Sequence, residues 1–285
     1  MEFATWIAVI AFVAAWPLRA DGFRTAFPTA KNLLGGLFEW LGELGLFAGR
    51  VVKAIIRPPF EFRELMRQCD SVGAKSMPLV ALAGAATGVV MSLQMHDSLT
   101  RFGARSLLPA VIVYSIIKET GPVITGLIVS GRVGAGIGAE LGSMKVTDQI
   151  DAMEASAVDP YKFLAATRIV ACALMLPLLT LTADFFGILM GWVASRFADA
   201  VSLRYFVDNG FKTVLFADFF PSTLKTAFFG LIIGLVSCFQ GMRAKGGTEG
   251  VGSAATSSVV LSSLLVILAD VLLVRLILVF FPTGG

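Results

Sequence analysis

The chain has 285 residues, of which 56% are hydrophobic and only 15% are charged. Soluble domains carry about 25% charged residues, so this composition indicates a polytopic membrane protein and excludes an ordinary soluble enzyme. The formal net charge of +3 is small and the basic residues are dispersed, which excludes a nucleic-acid partner. The three cysteines show no CxxC spacing, which predicts buried, unreactive thiols.

The N-terminal part of the chain divides into two predicted segments. Residues 1–32 form an accessory apolar segment, in which Thr5–Trp16 is too short to span a bilayer. Residues 33–76 combine an amphipathic helix with a basic linker. The charged side chains of Leu33–Arg57 recur at spacings of three, four or seven, with apolar side chains on the opposite face. This pattern favours a helix that lies in the membrane interface over a core helix of a soluble domain.

Residues 77–283 form the predicted membrane domain. A bilayer-spanning helix needs about 20 apolar residues, and five stretches approach or exceed that length: Met77–Met95, Leu107–Val129, Phe163–Val193, Leu224–Phe239 and Ala254–Phe281. Pro177 predicts a kink in the third span. A modest excess of Lys and Arg on one side predicts cytoplasmic connections after spans two and four, a cytoplasmic amphipathic helix and an external C-terminus.

A glycine-rich stretch follows the second predicted span. It contains no GxxxxGK[ST] string, and its GxGxG follows an apolar run of helical length, so a nucleotide-binding loop is excluded. Five small residues follow one another at a spacing of four residues. On a helix they would form one continuous groove for the close approach of another helix: Gly126, Ser130, Gly134, Gly138 and Gly142.

An acidic segment comes next along the chain. Thr147 is the predicted N-cap of a short helix with Asp148 and Asp151 in its first turn, where negative charge is favourable. Glu154 lies on the same stripe as the two aspartates. A short helix of this kind is either a solvated connector or a docking site for a cytoplasmic partner, and the residue pattern is compatible with both.

The run GPVITGLIVSGRVGAGIGAELGSMKVTDQIDAMEASAVDPYKFLAATR, followed by LPLLTLTADFFGILMG, resembles the MlaE/YrbE permease family. The resemblance extends from about Phe62 to Phe281. It implies a membrane subunit of an ABC transporter that moves phospholipids together with an MCE-domain protein. It also implies a homodimer in which each copy binds a separate cytoplasmic ATPase. ATP would then be bound by that partner, so the chain itself would be no enzyme and would hold no cofactor.

The resemblance also implies site residues and a location. Its ATPase-coupling region corresponds to a cytoplasmic helix and the residues before it: Glu140, Leu141, Met144, Asp148, Gln149, Asp151 and Glu154. The implied location is the bacterial inner membrane, which is favoured over a chloroplast envelope because no Ser/Arg-rich transit segment precedes the spans. The chain departs from the family pattern at Ser253 and Ser257, where the family commonly has arginines, and in the segment before about Asn32.

Ionisable residues within the predicted spans form a second candidate site, because each costs about 2.5–3.5 kcal/mol to insert. Lys118 and Glu119 lie midway along span two, Asp270 near the middle of span five, and Asp184 in the outer half of span three. Their depths predict that Lys118 and Asp270 pair or that both line a wet cavity. A buried pair that only fixes helix register is the alternative.

The resemblance places a basic and acidic pair near the lipid cavity of the family, which favours a functional role for Lys118 and Glu119. The predicted cavity lies between spans one, two and five, with these apolar wall residues: Met91, Leu93, Met95, Val113 and Ile117. His96 is the only histidine and no acidic cluster has metal-ligand spacing, so no metal site is predicted.

The leading hypothesis is therefore an all-α polytopic membrane protein with about five transmembrane helices, an N-terminal interfacial amphipathic helix and a cytoplasmic coupling helix, which acts as a phospholipid permease subunit. Two other hypotheses stay open. One is a stand-alone ion-coupled carrier or channel that uses the intramembrane Lys, Glu and Asp residues. The other is a membrane scaffold without transport activity.

Overall fold

The computed structural model describes residues 30–56, 61–214 and 216–280, so the predicted piece Thr5–Trp16 lies outside the described residues. Within them the chain is helical almost throughout, and no β-strand occurs. The α-helices in this part are α1 (Ala30–Ile56), α2 (Phe62–Val72), α3 (Met77–Arg101), α4 (Leu108–Ser115), α5 (Gly121–Val129), α6 (Ala135–Val146), α7 (Gln149–Ala155), α8 (Thr167–Asp199), α9 (Leu203–Gly210), α10 (Phe216–Gly241) and α11 (Gly247–Phe280).

Short irregular turns lie between or at the ends of several of these helices. Three of them are π-helical, at Ile116–Thr120, Ser130–Gly134 and Tyr161–Ala166. Two others are 3-10 turns, at Arg105–Leu107 and Phe211–Thr213. A π-helical turn inserts one extra residue into an α-helix and is frequent at functional sites.

Five helical segments of the described chain are long and apolar enough to cross a membrane, which confirms the all-α polytopic fold: Phe62–Arg101, Arg105–Val146, Tyr161–Asp199, Phe219–Gly241 and Gly247–Ile277. The first four extend beyond both predicted bounds, and the fifth begins earlier than predicted, at Gly247 instead of Ala254. The second span continues through the glycine-rich stretch as far as Val146, so the prediction that it ends at Val129 is wrong. Hydropathy falls along this stretch because glycine adds no apolar side chain, yet packed glycines remain compatible with a helix.

The third span is the centre of the bundle, since α8 packs against α3 on one side and α10 on another. Gly84 and Gly88 of α3 face Ala183 and Gly187 of α8 so closely that a Cβ atom at either glycine would overlap the opposite carbonyl oxygen. On α10, Gly234 approaches Ile169 of α8 in the same way. These contacts bring helix backbones together, as small residues do in membranes.

The predicted ladder of small residues lies against α10 and α11 of the same chain. Ser130 Oγ is 2.6 Å from Ser263 Oγ, and a Cβ atom at Gly138 would overlap the hydroxyl of Ser258. Gly126 faces Phe229 of α10. The ladder therefore fixes the second span to the fourth and fifth spans, which is an intramolecular packing role.

Helix α1 packs along the end of the bundle that carries the 147–160 connection. Its Phe47 is buried beside Tyr161 and Phe239, while Arg50 Nη1 donates a hydrogen bond of 3.0 Å to the Tyr161 hydroxyl. On the other side of α1, Leu46 remains 69% exposed. One side of α1 therefore packs on the bundle and another is uncovered, and its position in the membrane interface stays a prediction.

Candidate functional site

A buried lysine that was not among the predicted site residues organises the intramembrane charges. Lys225 of α10 is 2% exposed, and its Nζ lies 3.0 Å from Asp270 Oδ1 on α11. The same Nζ forms an ion pair with Glu119 Oε2 of the π-helical turn at Ile116–Thr120. We call these three residues the charge triad; it connects spans two, four and five.

The triad follows from the cost of placing charge in an apolar medium. An unpaired ammonium within a membrane is expensive, and cations in spans therefore pair with carboxylates or face water. Lys225 is enclosed, whereas the Glu119 side chain is 46% exposed and that of Asp270 is 13% exposed. Lys225 and Asp270 thus form the buried part of the triad, and Glu119 forms its accessible edge.

Glu119 reaches this position because the helix changes its winding just before Pro122. The Gly121 N–H donates to the Ile116 carbonyl five residues earlier, which is the π-helical pattern. Proline has no N–H and disturbs the regular α-helical ladder, so a local change of winding is expected there. Neighbouring Lys118 points elsewhere: its Nζ donates to the Tyr114 hydroxyl and lies 4.7 Å from the centroid of the Tyr114 ring.

A cavity of about 440 Å³ borders the triad. Its walls come from spans one, two, four and five, and they combine charged, hydroxyl and apolar side chains: Met91, Tyr114, Ser115, Lys118, Glu119, Thr120, Ser222, Lys225, Val274 and Ile277. The sequence hypothesis did not include span four. A cavity with a charged end and apolar sides can hold a molecule that is itself part charged and part apolar.

Of the five predicted apolar wall residues, one borders the cavity and four do not. Met91 lines the cavity, and Met95 packs at the margin of a buried cluster. Leu93 is exposed on the outside of α3. Val113 and Ile117 belong instead to the buried cluster and are 0% and 3% exposed, so the structure does not place them on the cavity surface. Their side of the helix faces the packed interior.

The other predicted intramembrane residues occupy separate positions. Asp270 forms an ion pair with Lys225 and not with Lys118, the partner considered in the sequence analysis. Lys118 lines the cavity. Asp184 does not line the cavity: it is 4% exposed and lies directly behind Gly121. The signal that could have revealed Lys225 is a single basic residue in the apolar run after Pro221.

The predicted coupling residues lie at the end of the second span and on α7. Asp148 is the residue before α7 and has a left-handed backbone with φ 57°, a conformation that aspartate tolerates better than most residues. The Thr147 hydroxyl donates to the Ser143 carbonyl of α6 instead. The prediction that Thr147 caps this helix is therefore wrong, because its hydroxyl is used by the preceding helix.

The acidic stripe itself is accessible. Asp148, Gln149, Asp151 and Glu154 are exposed, and Asp151 Oδ1 lies 2.6 Å from Lys145 Nζ. This surface, which we call the acidic surface, presents several carboxylates within two helical turns. An exposed cluster of one sign is suited to electrostatic recognition of a basic partner.

The remaining predicted coupling residues are engaged in packing. Leu141 is fully buried, so it contributes to the core and not to this surface. Met144 is partly buried against the same core. Glu140 Oε1 accepts a hydrogen bond of 2.8 Å from Arg168 Nη2, and Arg168 is only 2% exposed. Glu140 therefore compensates a buried charge where spans two and three meet.

A groove of about 400 Å³ lies beside the Glu140–Arg168 pair. It is bordered by α2, α6 and the start of span three, and its lining contains both acidic and basic side chains: Glu64, Arg67, Gln68, Asp70, Ser71, Lys75, Glu140, Met144, Phe163, Leu164 and Arg168. The groove and the acidic surface lie at the same end of the described bundle, which we call the polar end.

His96 lies at the opposite end, where its Nδ1 is 3.0 Å from Asp199 Oδ2. Among the described residues, no group of three or more His, Cys, Asp or Glu side chains is arranged to hold a metal ion. His96 therefore joins spans one and three through a carboxylate.

Comparison with known proteins assigns the chain to a family. The model of the permease MlaE matches residues 65–276, which include the whole charge triad. A probable ABC transporter permease protein of Rickettsia felis is 36% identical over 236 residues, covering 83% of this chain and 91% of the relative. A probable ABC transporter permease protein of Synechocystis is 31% identical over 241 residues, with coverage of 85% and 92%.

A plant protein extends the similarity. Protein TRIGALACTOSYLDIACYLGLYCEROL 1, chloroplastic, from Arabidopsis thaliana is 31% identical over 237 residues, which cover 83% of this chain and 68% of the plant protein. The matched regions contain five membrane-crossing helices in the present structure. The chain is therefore a multi-pass membrane protein that belongs to the MlaE permease family of ABC transporters.

Proposed function

We propose that this chain is the permease subunit of an ABC transporter that moves phospholipids between membranes, driven by ATP hydrolysis on a separate subunit. The observation that carries the proposal is the charge triad beside the cavity of about 440 Å³. A phospholipid has a charged headgroup and apolar chains. The cavity offers Lys118 and Glu119 to the first and Met91, Val274 and Ile277 to the second.

Two further observations favour a lipid over an ion or a small polar solute. Apolar side chains next to the cavity helices remain uncovered, including Val271, Leu272 and Leu276 of α11. Such a surface suits acyl chains or a second copy of the chain, but it offers no polar path for an ion. The Arabidopsis relative also carries the name of a galactolipid.

A homodimer would complete the path. One copy provides five spans, and its cavity is bordered by only four of them. A second copy facing it would enclose a chamber of lipid size between two triads. Symmetric pairing of identical subunits is the commonest way to build such an assembly.

The polar end of the bundle is the proposed contact for the cytoplasmic ATPase. The acidic surface projects from the connection between spans two and three, and the adjacent groove borders α2 and the buried Arg168. Movement of an ATPase against this surface would be transmitted through Glu140 and Arg168 to spans two and three. An MCE-domain protein on the outer side of the bacterial inner membrane would exchange lipid with the chamber.

The test is reconstitution of the chain in vesicles with its ATPase and MCE-domain partners, followed by transfer of a fluorescent phospholipid. We expect transfer that requires ATP and stops when the ATPase is omitted. Glu119→Gln should lower the transfer rate, and Asp97→Asn is its matched control, because Asp97 is an exposed carboxylate near the end of α3. Ion or solute flux that persists without the ATPase would support the stand-alone carrier and contradict the proposal.

A further inference from the structure

Asp184 is a buried acid to which neither the fold nor the proposed lipid path gives a partner. It lies inside the third span and is 4% exposed. Across the described residues it takes part in no ion pair, and neither of its carboxyl oxygens accepts a hydrogen bond. Asp270, whose side chain is 13% exposed, has Lys225 at 3.0 Å.

The carboxyl group of Asp184 packs against Gly121 of the second span. A Cβ atom built at Gly121 would overlap Asp184 Oδ1 and would lie 3.0 Å from the Ile116 carbonyl oxygen. Gly121 follows the π-helical turn Ile116–Thr120 directly and begins α5. Only glycine leaves room for this contact, so residue 121 and residue 184 are matched to each other.

We propose that Asp184 is a proton-binding site, held as a neutral carboxylic acid, and that its packing against Gly121 positions the turn that presents Glu119 to Lys225. The part of this inference that concerns transport depends on the proposed function. The protonation state of Asp184 does not depend on it.

The neutral form follows from the surroundings of the side chain. Burying an ionised carboxylate without a compensating cation or hydrogen bond is so costly that such a group binds a proton instead. A protonated carboxyl adds one O–H donor to its acceptor capacity. Acceptors are close, because the Ile116 carbonyl borders the same space. Pro122 has no backbone N–H, so the carbonyl groups of this turn also have one hydrogen-bond donor fewer.

The positioning role follows from the short distance along the chain. Glu119 is two residues before Gly121, within the same turn, and it forms the accessible edge of the charge triad. A displacement of Gly121 therefore moves Glu119 relative to Lys225. Displacement of a functional side chain by about 1 Å can lower activity on the order of 100-fold.

The protonation state can be measured without any transport assay. Infrared spectra of the purified chain in lipid vesicles at neutral pH would be compared with those of Asp184→Asn. We expect the wild-type minus variant difference to contain the carbonyl stretch of a protonated carboxylic acid. The Glu119→Gln difference serves as the control and should contain carboxylate bands, because Glu119 is paired with Lys225. Carboxylate bands in the Asp184→Asn difference would overturn the proposal.

The positioning role is tested by double substitution in the ATP-driven transfer assay. Asp184→Asn keeps both shape and donor and should retain transfer within about twofold, whereas Asp184→Ala should lose on the order of 10-fold or more. In a Glu119→Gln background, Asp184→Ala should cause no further loss, because both changes act on the same step. An equal loss in both backgrounds, or an Asn variant as impaired as the Ala variant, would overturn the role.

Alanine at position 121 offers an independent route to the same contact. Gly121→Ala should reproduce the loss seen with Asp184→Ala, since the added methyl group displaces the acid. Gly136→Ala is the matched control in α6, because a Cβ atom there meets no atom within 4 Å. An active Gly121→Ala variant would contradict the inference. A wild-type chain without ATP-dependent transfer would count against the proposed function and leave the infrared result intact.

Discussion

One ion pair inside the bundle and another at its surface have similar geometry and very different surroundings. Lys225 lies 3.0 Å from Asp270, and its side chain is 2% exposed. Lys145 lies 2.6 Å from Asp151, with exposures of 32% and 53%. Distance alone would rank the second pair as the stronger. Burial reverses the order, because water replaces a lost partner at the surface and cannot do so inside the bundle.

Removal of the buried cation should have the largest effect. Lys225→Met leaves Asp270 without its cation in an enclosed position, which is expected to destabilise the fold by about 3–5 kcal/mol. The measurement is the unfolding midpoint of the purified chain in detergent. Lys212→Met is the matched control, because Lys212 is exposed and bonds only to Asn209 among its described contacts.

A second variant tests whether charge compensation explains that loss. Combining Lys225→Met with Asp270→Asn removes both charges of the buried pair, so part of the stability should return. A Lys225→Met variant with an unchanged unfolding midpoint would mean that the charge triad does not contribute to the stability of the fold.

The Glu140–Arg168 pair should show an intermediate effect. Arg168 is 2% exposed, while the Glu140 side chain is 56% exposed, so solvent compensates part of the lost interaction. Glu140→Gln should therefore destabilise by about 1–2 kcal/mol, since Arg168 keeps its hydrogen bond to the Leu164 carbonyl. Glu154→Gln, on the exposed acidic surface, is the control. Equal midpoints for the two variants would contradict the ranking by burial.

Glu119→Gln separates stability from activity. The side chain is 46% exposed and Lys225 retains Asp270, so the loss of stability should stay below about 1 kcal/mol. ATP-driven lipid transfer should fall while assembly with the ATPase continues, because the accessible edge of the triad is what a lipid headgroup can contact. Transfer at the wild-type rate would remove Glu119 from the proposed mechanism.

The sequence was informative where a property depends on neighbours along the chain. Composition and length predicted five spans, and the four-residue spacing of small residues identified the helix face that packs on α10 and α11. It failed where position depends on packing. Lys225 was missed because the predicted span begins at Leu224, which puts Lys225 at the edge of the membrane. The observed span begins at Phe219, so Lys225 lies inside it.

Orientation about the helix axis was the second source of error. Leu141, Val113 and Ile117 have the right depth for a surface or cavity role, yet all three are buried. Leu141 follows two π-helical turns of the second span, which rotate the residues after them, and no residue pattern marks those turns apart from Pro122. Val113 precedes both turns and Ile117 lies within the first, so their burial comes from packing in the buried cluster. Depth in the membrane could therefore be predicted, whereas the direction of each side chain could not.

The acidic surface should be the least important region for folding and the most important for assembly. Charge reversal of Asp151 and Glu154 to lysine, which leaves the left-handed Asp148 unchanged, should alter stability by no more than about 0.5 kcal/mol, because exposed substitutions rarely do more. Affinity for the ATPase subunit should fall steeply, since like charges facing a basic partner repel it. Co-purification at increasing salt measures this, with Asp97→Lys at the outer end as the control. If the reversed variant still bound its ATPase, the docking surface would have to lie elsewhere, and the groove beside Arg168 would be the remaining site at this end of the bundle.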